Sequence, residues 1–236
     1  MPNLQINKFN YEGFEYQAGL DSIERAAIAG LGALQDDLFK NAKCLQQYRS
    51  EGVFEGERDE NGTSIYEVCD DFKFKMAVAV DSQNELRRAF VLAAYHFWER
   101  SVIRWALVHH LKPKSKKKDK NEGAFQGYDD LKTAAENEVI NYPPHPDLRA
   151  VSQIANVLKH ESKKSQKKLE ENHPALWAEL LNTVHLPSCR SEGIIISDPI
   201  MRKVFEIIRQ SGPYVFPEKK PPIETIFPKK ESPDAR

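Results

Sequence analysis

Asn156 and His160 lie four residues apart in LRAVSQIANVLKHES (residues 148–162), with Lys159 between them. On a helix that spacing makes an amide and an imidazole neighbours one turn apart. An amide, an ammonium and an imidazole converging at one point can bind a phosphodiester and move a proton. At ~100° per residue, Leu148, Val151, Ala155 and Leu158 share the face expected to meet a core. Arg149, Asn156 and His160 share another, flanked by Ser152 and Gln153. The plainer alternative is a surface pair, or a hydrogen bond that holds two helices together.

Three charged residues interrupt an aromatic helix upstream, RRAFVLAAYHFWERSVIRW (residues 87–105): Glu99, Arg100 and Arg104. A charge among aromatics needs a partner. Glu99 is a candidate to orient Lys159 or His160, and one of the arginines to complete their site. A structural ion pair or a solvent-facing edge is the alternative. Two lysine runs flank the Asn156/His160 stripe, one containing Lys116 and Lys117 and the other Lys163 and Lys164. Clustered lysines bind nucleic acid by releasing its counterions; they also make ordinary solvated surface. No aromatic interleaves the first run, so it has no base-stacking pattern. His109, His110, His145, His173 and His185 have no metal-ligand spacing. The phosphate-loop, dinucleotide and serine-hydrolase signatures are absent. No metal and no cofactor are expected.

These residues need helices to position them. Apolar residues at every third or fourth position predict a helix over about 15–49, with Gly30 and Gly32 marking either a break or tight helix packing. A charged loop follows, with a short strand near 64–68. The strongest helix is predicted over 82–111, with DSQNE as its N-terminal cap. Shorter helices are predicted over 128–139, from about Asp147 to His160, and through the following basic stretch, with a short strand at 194–197. A last amphipathic helix covers 198–210. From Pro213 the chain is rich in proline and lysine and is expected to be a disordered tail, dispensable for folding beyond about Pro217. The pattern is that of an all-α helical bundle. Its expected division is an N-terminal helical extension and loop (1–75), a bundle (76–212) and the tail (213–236).

Composition sets outer limits. With 34 Lys and Arg against 35 Asp and Glu, the formal net charge is −1. Overall charge therefore does not hold the protein to nucleic acid or membrane, and only a local patch can. No stretch approaches the ~18 apolar residues of a membrane span. The three cysteines are far apart, which fits reduced thiols and a cytoplasmic location.

The aromatic helix followed by LRAVSQIANVLKHES resembles the HEPN superfamily, over roughly residues 81–210. That resemblance implies a small α-helical bundle, often dimeric, and for many members a metal-independent ribonuclease of toxin–antitoxin or defence systems. Asn156 and His160 match the polar residue and the histidine of the family motif; Ala155 stands where the family has arginine. Asn156, Lys159 and His160 also fit an Asn–x–x–Lys–His pattern. The implied roles are general acid/base for His160, orientation of the 2′-hydroxyl or phosphate for Asn156, and charge offset for Lys159. Arg149 lies eleven residues before His160, ~16 Å along the axis, and would reach the same phosphate only from a dimer partner. RNA, a second copy of the chain and an antitoxin or defence partner are the expected ligands. The alternative is a non-catalytic interaction module in which the stripe is a dimer or partner surface.

Overall fold

The computed structural model describes residues 9–113, 125, 127–181 and 194–229. Two helices of 41 residues each, α1 (Tyr11–Glu51) and α2 (Val68–Val108), run antiparallel along one another. At ~1.5 Å per residue each is ~60 Å long. A two-stranded hairpin, β1 (Gly56–Arg58) and β2 (Ser64–Glu67), joins them with Gly56 opposite Glu67. Then come α3 (Gly127–Ala135), α4 (Leu148–His160), α5 (Lys163–Asn172), α6 (Pro174–Leu181) and α7 (Asp198–Gln210). The architecture is all-α, as the periodicity implied.

Gly30 and Gly32 do not break α1. A Cβ on Gly30 would stand 2.9 Å from Leu86 Cδ2, and one on Gly19 would stand 2.7 Å from the Phe97 ring, so both glycines let α2 approach closely. Gly52, at φ 66°, ends α1 in the left-handed conformation that glycine adopts without strain. The start expected for α2 was late. The helix begins at Val68, and Asp81–Glu85, expected as its cap, lie inside it. Cys69, Phe72, Met76, Ala79 and Gln83 recur every three or four residues, the seam of a two-helix pair. Gln83 donates to Gln35 across that seam at 3.1 Å.

The boundary expected at residue 75 therefore falls within α2. The beginning of α1 is part of the bundle, for Tyr16, Leu20 and Ala27 are buried in the same core as Val91, Trp98 and Val102. Beyond Ala27, α1 buries no residue, and with the first turns of α2 and the hairpin it forms an arm. α3 ends at Ala135, four residues before its expected end. Ile194–Ser197 is extended but pairs with no strand. The Ile196 N–H instead donates to the Asn84 Oδ1, and the Ile195 N–H to the Leu180 carbonyl.

The C-terminal segment departs most from expectation. It has little regular structure, only a 3-10 turn at Pro217–Lys219, yet it docks. Phe227 is 1% exposed, and the Ile226 and Phe227 N–H groups donate to Asp147 Oδ2 at 2.6 and 2.9 Å. One aromatic anchor and one carboxylate thus fix a segment whose average composition offers little to bury. Removing residues 221–236 takes away that anchor and both donors. Burying a Phe side chain is worth ~1.5–3 kcal/mol, and a buried carboxylate stripped of its partners costs more. The truncated protein is expected to melt roughly 5–10 °C lower by circular dichroism. A melting temperature within ~2 °C of the full chain would show that the docking contributes nothing.

Candidate functional site

α4 carries the candidate residues because its two faces differ sharply. Leu148, Val151, Ile154 and Ala155 are buried against the bundle. Ser152 and Gln153, expected to flank the polar stripe, are buried too. The Tyr95 hydroxyl donates to Ser152 Oγ at 2.9 Å and ties α4 to α2. Asp147 occupies the N-cap position, but its side chain holds the C-terminal segment rather than the helix end. Glu161 closes α4 at φ 49°, and Ser162 caps α5 by accepting from the Ser165 N–H.

Asn156, Lys159 and His160 are all exposed, and none makes a hydrogen bond or ion pair among the described residues. Ala155 is 3% exposed. An arginine at that position would start its side chain in the core, which gives a physical reason for the small residue there. Lys163 and Lys164 follow directly, exposed in the first turn of α5, where there is no acidic residue. Lysines at that end oppose the helix dipole, which favours an anion there by ~0.3–1 kcal/mol. The end of α4 and the start of α5 thus present three lysines, an imidazole, an amide and the Glu161 carboxylate to solvent. Lys116 and Lys117 lie outside the described residues.

The supporting residues are engaged elsewhere. Glu99 pairs with His96, Oε2 to Nδ1, at 2.6 Å, and so does not orient Lys159 or His160. The Arg100 Nε donates to the His96 carbonyl of its own helix at 3.3 Å. Arg104 forms an ion pair with Glu15 of α1. Arg149 reaches Asp129 at 3.5 Å and lies 5.6 Å over the Tyr128 ring. Neither Arg100 nor Arg104 completes a site at His160.

Two polar groupings escaped the sequence reading. One is the His96–Glu99 pair, beside the buried Tyr95 hydroxyl, whose loss of a proton burial strongly disfavours. Its i, i+3 spacing was legible. The other is buried and joins distant segments. His145 Nδ1 accepts from the Asp147 N–H at 3.0 Å, so its Nε2 carries the proton and donates to the Glu224 carbonyl at 2.9 Å. His173 sits nearby, buried, its Nδ1 without a partner. Nothing in the spacing of residues 145, 147, 173 and 224 signals that they meet. No three His, Cys, Asp or Glu side chains converge as a metal site among the described residues, and no helix there is long and apolar enough to cross a membrane.

No protein-family model, curated protein or solved structure matches this chain.

Burial lowers the pKa of His173 below 6.5, outweighing the opposing pull of Asp147 and of the Phe227 and Pro228 carbonyls. The unfolded chain therefore takes up a proton at a higher pH than the folded one. The stability this contributes is fully present above about pH 6.5 and is lost as pH falls through the folded value. The melting temperature should drop between about pH 7.5 and 5.5, and drop less in His173→Gln. Equal slopes in the two proteins would remove His173 as the cause.

Proposed function

We propose that the chain binds RNA by its phosphodiester backbone along the edge where α4 ends and α5 begins. The observation that carries this reading is that Asn156, Lys159, His160, Lys163 and Lys164 are exposed in one short stretch, with no side-chain partner among the described residues. Lys159 and His160 stand at a helix C-terminus, which favours cations, and Lys163 and Lys164 at an N-terminus, which does not; Glu161 is the one carboxylate in the sequence between them. In a chain of net charge −1 this is a local patch suited to a polyanion. The resemblance to HEPN proteins supports the same ligand, and with it a bacterial defence or toxin–antitoxin setting.

Cleavage is the finer proposal. It would use His160 as acid/base, Asn156 to orient the attacking 2′-hydroxyl and Lys159 to offset charge on the phosphate. Binding is the better supported half. Among the described residues no carboxylate bonds the imidazole of His160, and the guanidinium on its face, Arg149, pairs with Asp129.

A second reading, an interaction module, has its own observation. The aromatic part of α2 is covered within the chain. The arm exposes apolar surface instead: Phe74 is 68% and Val78, one turn on, 46% exposed, beside Leu34 and Cys44 of α1. We infer that a second copy covers this face. Light scattering should give twice the chain mass at micromolar concentration, and Phe74→Asp should return the monomer.

The binding proposal predicts a salt-dependent, largely sequence-independent affinity for single-stranded RNA. In fluorescence anisotropy, Lys163→Ala with Lys164→Ala should reduce the slope of log affinity against log salt by about 1.4, two phosphate contacts at ~0.7 each. His160→Ala should shift stability by no more than ~0.5 kcal/mol, and should abolish cleavage where cleavage occurs. An unchanged salt slope in the double variant would place RNA elsewhere or nowhere.

A further inference from the structure

A cleft of about 420 Å³ opens between α4 and α5, closed on one side by the docked C-terminal segment. Arg149 and Gln153 line it from α4, Lys168 and Glu171 from α5, His173 from the residue after α5, and Lys229 from the C-terminal segment. Small-molecule sites run ~300–1,000 Å³, so the size suits a compact ligand.

Two of its walls carry buried polar atoms with nothing to bond. Gln153 is 8% exposed and its Oε1 has no partner; His173 is 5% exposed and its Nδ1 has none. Such atoms are uncommon, because each forfeits a hydrogen bond to water on folding. Asp81, Asn84, Asp147 and Gln210 each carry one such atom too, but Gln153 and His173 bring theirs to the same cleft. With the ring neutral and protonated at Nε2, the unpartnered Nδ1 of His173 is an acceptor. Gln153 Oε1 is a second acceptor beside it. Both call for O–H or N–H groups on a ligand.

The rim asks for the opposite chemistry. Arg149, whose pair with Asp129 is exposed and long at 3.5 Å, brings a cation from α4, and Lys168 and Lys229 bring two more from α5 and the C-terminal segment. Among the described residues that line the cleft, the one carboxylate, Glu171, lies near Lys167 at 3.7 Å. An anion with several oxygens meets three cations at once, as a carboxylate does not.

We propose that this cleft is a binding site for a sugar phosphate. Its phosphate lies among Arg149, Lys168 and Lys229, and its hydroxyls donate to Gln153 Oε1 and His173 Nδ1. The same chemistry comes from a free ribonucleotide or from the phosphorylated end of an RNA. The site deepens the RNA reading and rests on it only for the second of these sources. It does not involve His160.

The test uses the full chain, with the imidazole nitrogens of His173 followed by NMR at constant pH. Adenosine 5′-monophosphate should shift the His173 Nδ1 signal saturably. Adenosine, which lacks the phosphate, and inorganic phosphate, which lacks the sugar, should each bind at least about tenfold more weakly. Lys168→Ala, an exterior change, should weaken the nucleotide by about tenfold without altering the fold; Gln153→Leu should weaken it independently. A 5′-phosphorylated hexaribonucleotide that saturates His173 at lower concentration than the mononucleotide identifies an RNA end as the ligand; parity identifies the free nucleotide. The inference is overturned if no probe moves His173 at millimolar concentration, or if Lys168→Ala leaves the titration unchanged. Loss of RNA affinity in the Lys163/Lys164 double variant with the His173 shift intact would separate this site from the α4–α5 edge.

Discussion

The last turn of α7 is buried, and the bundle is organised by how its carbonyl groups find partners. A helix ends with four carbonyls that have no intrahelical donor. Buried and unmatched, each would cost ~1–3 kcal/mol. Here α1 and α2 supply the donors. The Tyr16 hydroxyl donates to the Ile208 carbonyl at 2.6 Å, and Gln17 Nε2 to the Arg209 carbonyl at 3.4 Å. The Trp98 Nε1 donates to the Ser211 carbonyl at 3.1 Å. Ser211, wholly buried, also donates its hydroxyl to Ile207 and accepts from the His145 N–H. Space is set as tightly as polarity. A Cβ on Gly212 would stand 2.1 Å from the Tyr16 ring, so only glycine lets that ring reach the helix end.

The placement of α4 and of the C-terminal segment depends on this junction. His145 is held by Ser211 and in turn receives the Asp147 N–H, which fixes where α4 starts. Asp147 and His145 then bind the C-terminal segment, by its Ile226 and Phe227 N–H groups and by the Glu224 carbonyl. With its start fixed and Ser152 tied to Tyr95, α4 has one rotational setting. That setting puts Ala155 inward and Asn156, Lys159 and His160 outward. The functional edge is thus a consequence of polar matching some distance from it. The same matching leaves Gln153 and His173 unsatisfied beside a basic rim.

The sequence carried the elements with strong period and clear ends. α7, with Ser197 capping and Pro199 in its first turn, lies at the expected residues 198–210. α4 was equally legible, and so was the exposure of Asn156 and His160, because a 3.6-residue period separates the faces of a single helix. Long-range polar contacts were not legible. Ser211 with Trp98, and Asp147 with Phe227, lie far apart in the chain and follow from no local pattern. The beginning of α2 was missed because DSQNE resembles a cap while the seam at Cys69, Phe72, Met76 and Ala79 is weakly apolar. The docking of the C-terminal segment was missed because composition averages over a stretch in which one residue, Phe227, does the anchoring.

Polar matching around α7 leaves the α4–α5 edge exposed, where we propose that a polyanion binds. Hydrogen–deuterium exchange of the full chain, with and without saturating single-stranded RNA, tests it most directly. The predicted result is added protection confined to about residues 156–168, with the arm of α1 and α2 unchanged. Protection centred on the arm, or no RNA-dependent change anywhere, would contradict it.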